Sequence, residues 1–257
     1  MGQRKLPSHT TDLDNPELYM NRELSWIEFN RRVFEEAQDA LHPLLERVKF
    51  LSIFDTNLDE FIMVRLAGLE DLLAAHVPSP SPDGRTPAQT MVAVREALVP
   101  LVQETRQYWR NELLPLLAAQ HIYVLDYEQL DARQRDDMRV YFEREVFPVL
   151  TPLAVDPGHP FPHISSRSLN LAVALSDDRF ARVKVPPSLP RLVPVPIAER
   201  APGAVAFVWI EQVIRAHLSS LFPGFDVWES YAFRVLRDAD IEIREDESSD
   251  LLESIEK

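Results

Sequence analysis

The sequence contains no cysteine, which excludes a disulfide framework, a thiolate nucleophile and a cysteine-ligated metal. Only six glycines occur. None of them forms the phosphate-binding patterns G-x-x-x-x-G-K-[ST] or G-x-G-x-x-G, or the nucleophile-elbow pattern G-x-S-x-G. The longest uncharged apolar runs are far too short to cross a bilayer. The N-terminal stretch MGQRKLPSHTTDLDNPE lacks the apolar centre of a secretory signal. These absences predict a cytoplasmic protein without a transmembrane segment.

Basic residues are scarce relative to acidic ones. The chain has 27 lysines and arginines against 41 aspartates and glutamates, which gives a formal net charge of −14. Proteins that bind nucleic acid usually carry a basic surface, so this balance argues against a nucleic-acid partner. It also argues against a polyanion site made by these residues alone. Any phosphate chemistry must depend on a local basic pocket or on polypeptide outside this sequence.

Length and composition favour two domains. A chain of 257 residues, of which 46% are hydrophobic, can form one large core or two ordinary ones. Residues 1–121 contain helical patterns, and we predict an antiparallel bundle of about four helices there. Residues 122–257 mix strand and helix patterns, which predicts an α+β domain. The predicted fold class is therefore multidomain α+β, with an all-α bundle first.

Capping patterns place several helix starts. The box Ser25-Trp26-Ile27-Glu28 predicts the start of the first helix. Thr86-Pro87-Ala88-Gln89 combines a cap, a first-turn proline and a capping-box glutamine, and predicts a helix that reaches about Gln120. In the second domain, Asp131 is the predicted cap of a helix.

Strand patterns lie after residue 121. Residues 168–175, SLNLAVAL, alternate strictly and place their leucines and valine on one face. Further short strands are predicted at 122–125, 181–185, 192–195, 204–208 and 231–235, and a helix at 210–221.

Residues 44–69 carry the most informative pattern. Two apolar runs at helical spacing, 44–51 and 58–69, flank the polar triplet Asp55-Thr56-Asn57. We predict two helices with a corner at this triplet, where Thr56 or Asn57 caps the second helix. An amide at such a corner can donate and accept at once, which suits the edge of a nucleobase. The alternative is that Asn57 only caps the helix.

Three candidate metal ligands or general bases lie close together in the sequence: Asp156, His159 and His163. Pro160 and Pro162 exclude the helix that would bring the two histidines onto one face. A rigid, extended proline-rich loop is therefore the simpler interpretation.

Three other features have ordinary structural explanations. The acidic run 238–247 lacks the glycine and the spacing of a calcium loop, and a solvated linker is the favoured interpretation. The last residues, 249–257, begin an amphipathic helix that stops after about two turns, and we expect the polypeptide to continue in a longer protein. The aromatic residues at helical spacings are interpreted as core: Trp26, Phe29, Phe50 and Phe61. From residue chemistry alone, no catalytic constellation is complete.

Four segments resemble the N-terminal part of the family-1 polyphosphate kinases. They are NRELSWIEFNRRVFEEA (21–37), PLLERVKFLSIFDTNLDEFIMVRLAGL (43–69), LTPLAVDPGHPFPHISSRSLNLAVAL (150–175) and RDADIEI (237–243). Together they span nearly the whole chain after residue 20. The resemblance implies a helical N-terminal domain over residues 1–121 and a truncated α+β head domain over residues 122–257. The family's two catalytic C-terminal domains have no counterpart in this sequence.

The family reversibly transfers the terminal phosphate of ATP to inorganic polyphosphate through a phosphohistidine. Its nucleophilic histidine, its magnesium ligands and its basic tunnel belong to the C-terminal half. The resemblance therefore implies no catalytic residue and no metal ligand in this chain, and none of its seven histidines takes that role. It implies ATP and polyphosphate as substrates, Mg²⁺ bound by the missing half, and a homo-oligomer. Membrane association within an enzyme complex is left open beside the cytoplasmic location.

One binding residue is implied by the resemblance. In the family, an asparagine in the segment N-L-D-E-F contacts the adenine of ATP, and this position matches Asn57. The family's head domain takes part in dimer contacts, so exposed apolar surface is expected between residues 122 and 240. We expect this sequence alone to be inactive as a kinase. The rival hypotheses are a stand-alone interaction module that binds no nucleotide, and metal-dependent hydrolysis at Asp156, His159 and His163.

Overall fold

The computed structural model describes residues 13–77, 80–155, 163–177, 179–197 and 202–238. The chain divides into two compact units after Arg106. The first unit is helical and the second combines two sheets with helices, which confirms the predicted fold class. The domain boundary at 121/122 stays a prediction. The predicted terminal helix at 249–257 and most of the acidic run 238–247 lie outside the described residues.

Helices build the first unit. A 3₁₀ turn at Pro16–Leu18 precedes α1, Arg22–Gln38. The next helical run consists of α2 (Leu44–Glu60), a π-helical turn (Phe61–Leu66) and α3 (Ala67–Ala74). After a loop, α4 spans Pro87–Tyr108. The buried apolar residues of this unit come from all of these helices except α3: Ile27, Phe34, Ala37, Phe54, Leu58, Phe61, Met63, Val94 and Leu101.

The predicted corner at Asp55-Thr56-Asn57 is wrong, because α2 runs through the triplet without a break. Phe54 and Leu58 are buried one turn apart, so the three residues between them lie on the less buried side of that turn. The Thr56 hydroxyl donates to the Ser52 carbonyl at 2.9 Å, as helical threonines can, and does not cap a helix. Nor does Asn57 cap one. Among the described residues of the first unit there are consequently three helical runs in place of the predicted four.

The start of α1 also differs from the prediction. Asn21, and not Ser25, is the N-cap: its Oδ1 accepts from the backbone N–H groups of Glu23 and Leu24, both at 3.1 Å. The predicted capping box at α4 is confirmed, because Gln89 Oε1 accepts from Thr86 N at 2.9 Å and Thr86 Oγ1 accepts from Gln89 N at 3.3 Å.

Asn21 also connects α1 to the loop before α4. Its Nδ2 donates to Asp83 Oδ1 at 3.3 Å and to the buried Thr90 hydroxyl at 3.4 Å. Asp83 further accepts from the Ser81 hydroxyl, and from Arg85 Nη1 at 2.6 Å. Burial alone would raise the pKa of the Asp83 carboxyl, but these hydrogen bonds and the Arg85 charge outweigh it and hold the pKa below 3.8.

The second unit contains a three-stranded and a four-stranded sheet. The first has the order β1-β6-β5, with β1 (Ile122–Leu125) parallel to β6 (Val205–Trp209) and β5 (Leu192–Val195) antiparallel to β6. The second has the order β2-β4-β3-β7 and is antiparallel throughout. Its strands are β2 (Pro152–Val155), β3 (Leu169–Leu175), β4 (Arg179–Lys184) and β7 (Val227–Arg234).

Helical segments complete the second unit. They are a π-helical turn at Trp109–Leu113, α5 at Leu114–Ala119, a 3₁₀ turn at Tyr127–Gln129, α6 at Ala132–Tyr141, a π-helical turn at Phe142–Val146, a 3₁₀ turn at Phe147–Val149, α7 at Ile210–Ala216 and α8 at Leu218–Leu221. Asp131 caps α6, as predicted, by accepting from Gln134 N at 2.8 Å.

One face of the four-stranded sheet packs into the core of the second unit. Leu171, Val173 and Leu175 of β3 are buried there, which confirms the predicted alternation. The predicted strands all exist, whereas β2 was not predicted. On the other face, Arg182 Nε donates to Asn170 Oδ1 at 2.8 Å, and both side chains are buried. Within the described ranges, no helix is both long and apolar enough to span a membrane.

Candidate functional site

A cavity of about 310 Å³ lies in the helical unit. Residues from α1, the C-terminal half of α2 and the π-helical turn line it: Trp26, Phe29, Asn57, Glu60, Phe61, Val64 and Arg65. Its size is at the lower end of the range of small-molecule pockets, about 300–1,000 Å³. The lining is mostly apolar, with one amide and two charged groups.

Helical spacing explains why these side chains converge. Trp26 and Phe29 are three residues apart on α1, and Asn57 and Phe61 are four apart along the second helical run, so each pair lies on one face. The π-helical turn Phe61–Leu66 follows directly after the last residue of α2. Such turns are rare and frequently occur at functional sites.

Aromatic rings form one side of the cavity. The Trp26 and Phe61 rings stack with their centroids 4.1 Å apart and 7° between their planes. Phe61 is 1% exposed, as its interpretation as a core residue predicted. Phe29 is 47% exposed, so the same interpretation is wrong for Phe29. Trp26 and Phe50 are half-buried, and Phe50 does not line the cavity.

Asn57 provides the amide of the lining. Its Nδ2 donates to Asn30 Oδ1 at 3.1 Å, and Asn30 Nδ2 in turn donates to the Phe54 carbonyl at 3.1 Å. Asn57 is half-buried and Asn30 is 1% exposed. Asn57 Oδ1 accepts no hydrogen bond from any residue that the structure describes. The amide oxygen and the second Nδ2–H thus remain for a ligand.

The two charged lining residues have opposite sign. Arg65 Nη2 lies 3.8 Å from Glu23 Oε1 of α1, and the Arg65 side chain is 31% exposed. Glu23 also lies 3.5 Å from Arg22 Nε. The Glu23 side chain is only 12% exposed, so Arg65 is paired with a partly buried carboxylate at the edge of the cavity.

The hypothesis of a metal site at Asp156, His159 and His163 is not tested by the described residues. Asp156 and His159 lie outside the described residues, and His163 is exposed. In the parts of the chain that the structure describes, no group of three or more histidines, aspartates and glutamates could hold a metal ion.

Two family models match the chain in succession. The polyphosphate kinase N-terminal domain matches residues 19–125, and the polyphosphate kinase middle domain matches residues 133–257. The chain belongs to the polyphosphate kinase family. Helices α1 to α4 and the cavity with Asn57 fall within the range of the N-terminal domain, and the four-stranded sheet falls within the middle domain.

Individual relatives agree with this assignment. The polyphosphate kinase of Thermosynechococcus vestitus is 47% identical over 262 residues, which cover 99% of this chain and 36% of the relative. That of Prosthecochloris aestuarii is 47% identical over 255 residues, with 96% and 36% covered. The crystal structure of the polyphosphate kinase from Porphyromonas gingivalis superposes with a TM-score of 0.75 at 32% identity, over 86% of this chain and 33% of that one. The chain thus spans about 36% of the length of these curated relatives.

The sequence pointed to Asn57 first through the polar triplet and then through the resemblance, but not to the other residues that line the cavity with it. Trp26 and Phe29 lie at a spacing of three, and Phe61 lies four residues after Asn57. These spacings were visible, but aromatic residues at helical spacing occur in every helical core. Asn30, which holds the Asn57 amide, carries no sequence signal of its own, because the two residues lie on different helices.

Proposed function

We propose that this chain supplies part of the adenine pocket of an enzyme that reversibly transfers the terminal phosphate of ATP to inorganic polyphosphate. The observation that carries the proposal is the Asn57 amide in a cavity with aromatic walls. Adenine offers a flat apolar face and an edge with a donor and an acceptor, and such a cavity complements both. Membership of the polyphosphate kinase family supports ATP as the nucleotide.

The catalytic groups of this reaction belong to other polypeptide. We propose that the phosphohistidine and the Mg²⁺ ligands lie outside these 257 residues, and that this cytoplasmic chain comprises a helical domain over residues 1–121 and a head domain over residues 122–257. The net charge of −14 supports a polyphosphate site elsewhere, because a polyanion is repelled by an acidic surface.

Equilibrium binding of ATP tests the pocket. The purified chain is titrated with ATP beside Asn57→Ala and beside Gln103→Ala, which removes an exposed amide from α4 as a matched control. We expect weak binding that Asn57→Ala weakens about 5- to 10-fold, the effect of about one hydrogen bond, and that Gln103→Ala leaves unchanged. Steady ATP turnover by the chain that survives Asn57→Ala would overturn the proposal.

We further propose that the second unit serves as a homodimer scaffold. On the face of the four-stranded sheet opposite the core, Leu153, Arg182, Ala172 and Tyr231 form one row across the four strands. Leu153 is 39% exposed and Tyr231 is 63% exposed, which agrees with the expected exposed apolar surface. Leu153 and Tyr231 lie on the two outer strands, on either side of the buried Arg182, and offer exposed apolar surface for a contact with a second copy.

Sedimentation equilibrium tests the scaffold. We expect the chain to form a dimer whose dissociation constant rises at least tenfold in Leu153→Asp. Leu41→Asp is the matched control, since Leu41 is 90% exposed and lies in the other unit. A chain that stays monomeric at all accessible concentrations, or a dimer that both variants weaken equally, would contradict the scaffold role.

A further inference from the structure

A chain of two hydrogen bonds, called the relay here, runs from Asn57 through Asn30 to a backbone carbonyl. Asn57 Nδ2 donates to Asn30 Oδ1, and Asn30 Nδ2 donates to the Phe54 carbonyl, each at 3.1 Å. Asn30 lies on α1, whereas Phe54 and Asn57 lie on α2. Asn30 is 1% exposed, so water cannot easily replace either bond.

The chemistry of the Phe54 carbonyl fixes the direction of the whole relay. A backbone carbonyl can only accept, so Asn30 must turn its NH₂ group toward Phe54 and its oxygen toward Asn57. Asn57 must therefore donate to that oxygen. If the Asn57 amide were rotated by 180°, two acceptor oxygens would face each other at a part-buried position, which is disfavoured.

The fixed direction determines what Asn57 presents to the cavity. Its Oδ1 faces away from the bond to Asn30 and can accept, and its second Nδ2–H can donate beside it. An asparagine in this arrangement pairs with the 6-amino group of adenine and a neighbouring ring nitrogen. A 6-oxopurine such as hypoxanthine or guanine carries an acceptor at position 6, and would require the amide in the opposite orientation.

We propose that Asn30 is a positioning residue that locks the Asn57 amide, so that the cavity selects 6-aminopurine over 6-oxopurine nucleotides. The inference rests on the proposed function, because it assumes that the cavity receives the base of a nucleotide. Asn30 contacts the Asn57 amide and does not touch the base. Its role is to prevent the rotated orientation of the Asn57 amide, which is the one that would pair with a 6-oxopurine.

Two substitutions at position 30 separate this role from a purely structural one. Asn30→Leu is similar in size and removes both hydrogen bonds, so the Asn57 amide is free to rotate. Asn30→Asp can keep both bonds when its buried carboxyl is protonated, because the hydroxyl then donates to the Phe54 carbonyl and the other oxygen accepts from Asn57. The leucine variant loses the lock, whereas the aspartate variant keeps it.

The readout is the ratio of the dissociation constants of ITP and ATP, measured by ligand-observed NMR on the purified chain at millimolar nucleotide. ITP differs from ATP in carrying a 6-oxo group. For the unmodified chain and for Asn30→Asp, we expect the dissociation constant of ITP to exceed that of ATP by about the same factor, tenfold or more. For Asn30→Leu, we expect the ratio of the two dissociation constants to be close to one. If Asn30→Leu does not fold, Asn30→Thr replaces it, since a hydroxyl can donate or accept and leaves both orientations open.

The outcomes distinguish the positioning role of Asn30, called the lock here, from the adenine pocket itself. If Asn57→Ala weakens ATP binding but Asn30→Leu retains the unmodified ratio, the lock is overturned and the adenine pocket stands. An aspartate variant that loses the preference together with the leucine variant also overturns the lock. If the chain does not bind ATP, or binds it independently of Asn57, the proposed function itself fails.

Discussion

The ring of Trp26 stacks on that of Phe61, with 4.1 Å between the centroids and 7° between the planes. Trp26 belongs to α1 and Phe61 to the π-helical turn after α2, so the stack joins the two helical runs at the cavity. The same two rings line the cavity together with Asn57. A base that binds the amide must therefore lie next to an indole, which provides an optical probe of the site.

We predict that ATP changes the fluorescence of Trp26. The titration is run on the chain, on Trp26→Phe and on Trp228→Phe, which removes an indole that is 61% exposed in the second unit. The saturable signal should disappear only in Trp26→Phe. Because phenylalanine preserves a ring on Phe61, ATP affinity should fall by less than about threefold, a loss below about 0.7 kcal/mol. A saturable signal that disappears in Trp228→Phe and remains in Trp26→Phe would place the nucleotide away from the cavity.

The Asp83 network predicts a pH-dependent contribution to the stability of the helical unit. The pKa of Asp83 lies below its ordinary value of 3.8 in the folded chain. Its ionised form therefore stabilises the fold above about pH 4, and this contribution is lost as the pH falls through the folded pKa. Asp83→Asn should lower the stability of α1 and the loop by on the order of 1–2 kcal/mol at pH 7.

Hydrogen exchange of the α1 amides measures this difference. The stability difference between the unmodified chain and Asp83→Asn should shrink as the pH is lowered below 4. At low pH Asp83 becomes protonated in the unmodified chain, so both chains then lack the negative charge. Asp71→Asn is the matched control, an exposed carboxylate on α3 whose replacement should change little at any pH. A difference between Asp83→Asn and unmodified chain that stays constant down to pH 2 would argue against the ionised network.

Asn170 is predicted to stabilise the second unit by accepting from Arg182. Both residues are buried, and burial lowers the pKa of the Arg182 guanidinium, although arginine stays protonated at neutral pH. Asn170→Ala leaves Nε without its acceptor and should cost about 2 kcal/mol. Both variants lose the Asn170 Nδ2 bonds to Ser168, but Asn170→Asp keeps an acceptor for Arg182 and should cost less. Hydrogen exchange of the β3 and β4 amides measures both, and an equal loss in the two variants would contradict the role of the bond.

Much of the fold could be predicted from local patterns. The strict alternation of β3 and the caps of α4 and α6 rest on neighbouring residues, and each was predicted correctly. The strand β2 was not, because its sequence, PLAV, is short and begins with proline. The cap of α1 was misplaced by four residues, since Asn21 is held partly by Asp83 and Thr90, which are distant in sequence.

The candidate site could be predicted only in part. Three polar residues in a row suggested a break in the helix, but buried residues on either side of the triplet, Phe54 and Leu58, keep α2 continuous. Asn57 was proposed from this triplet, and the resemblance supported the same residue. Its partner Asn30 depends on the packing of α1 on α2, and the register of two packed helices is not encoded in either helix alone.

The most direct measurement is the side-chain amide spectrum of Asn57 during an ATP titration of isotope-labelled chain, with the signals assigned by their loss in Asn57→Ala. We predict that the two Nδ2–H signals shift saturably with ATP, and that the indole signal of Trp26 shifts with the same dissociation constant. Signals of Asn57 that stay unchanged while ATP binds and perturbs other residues would contradict the proposed adenine pocket.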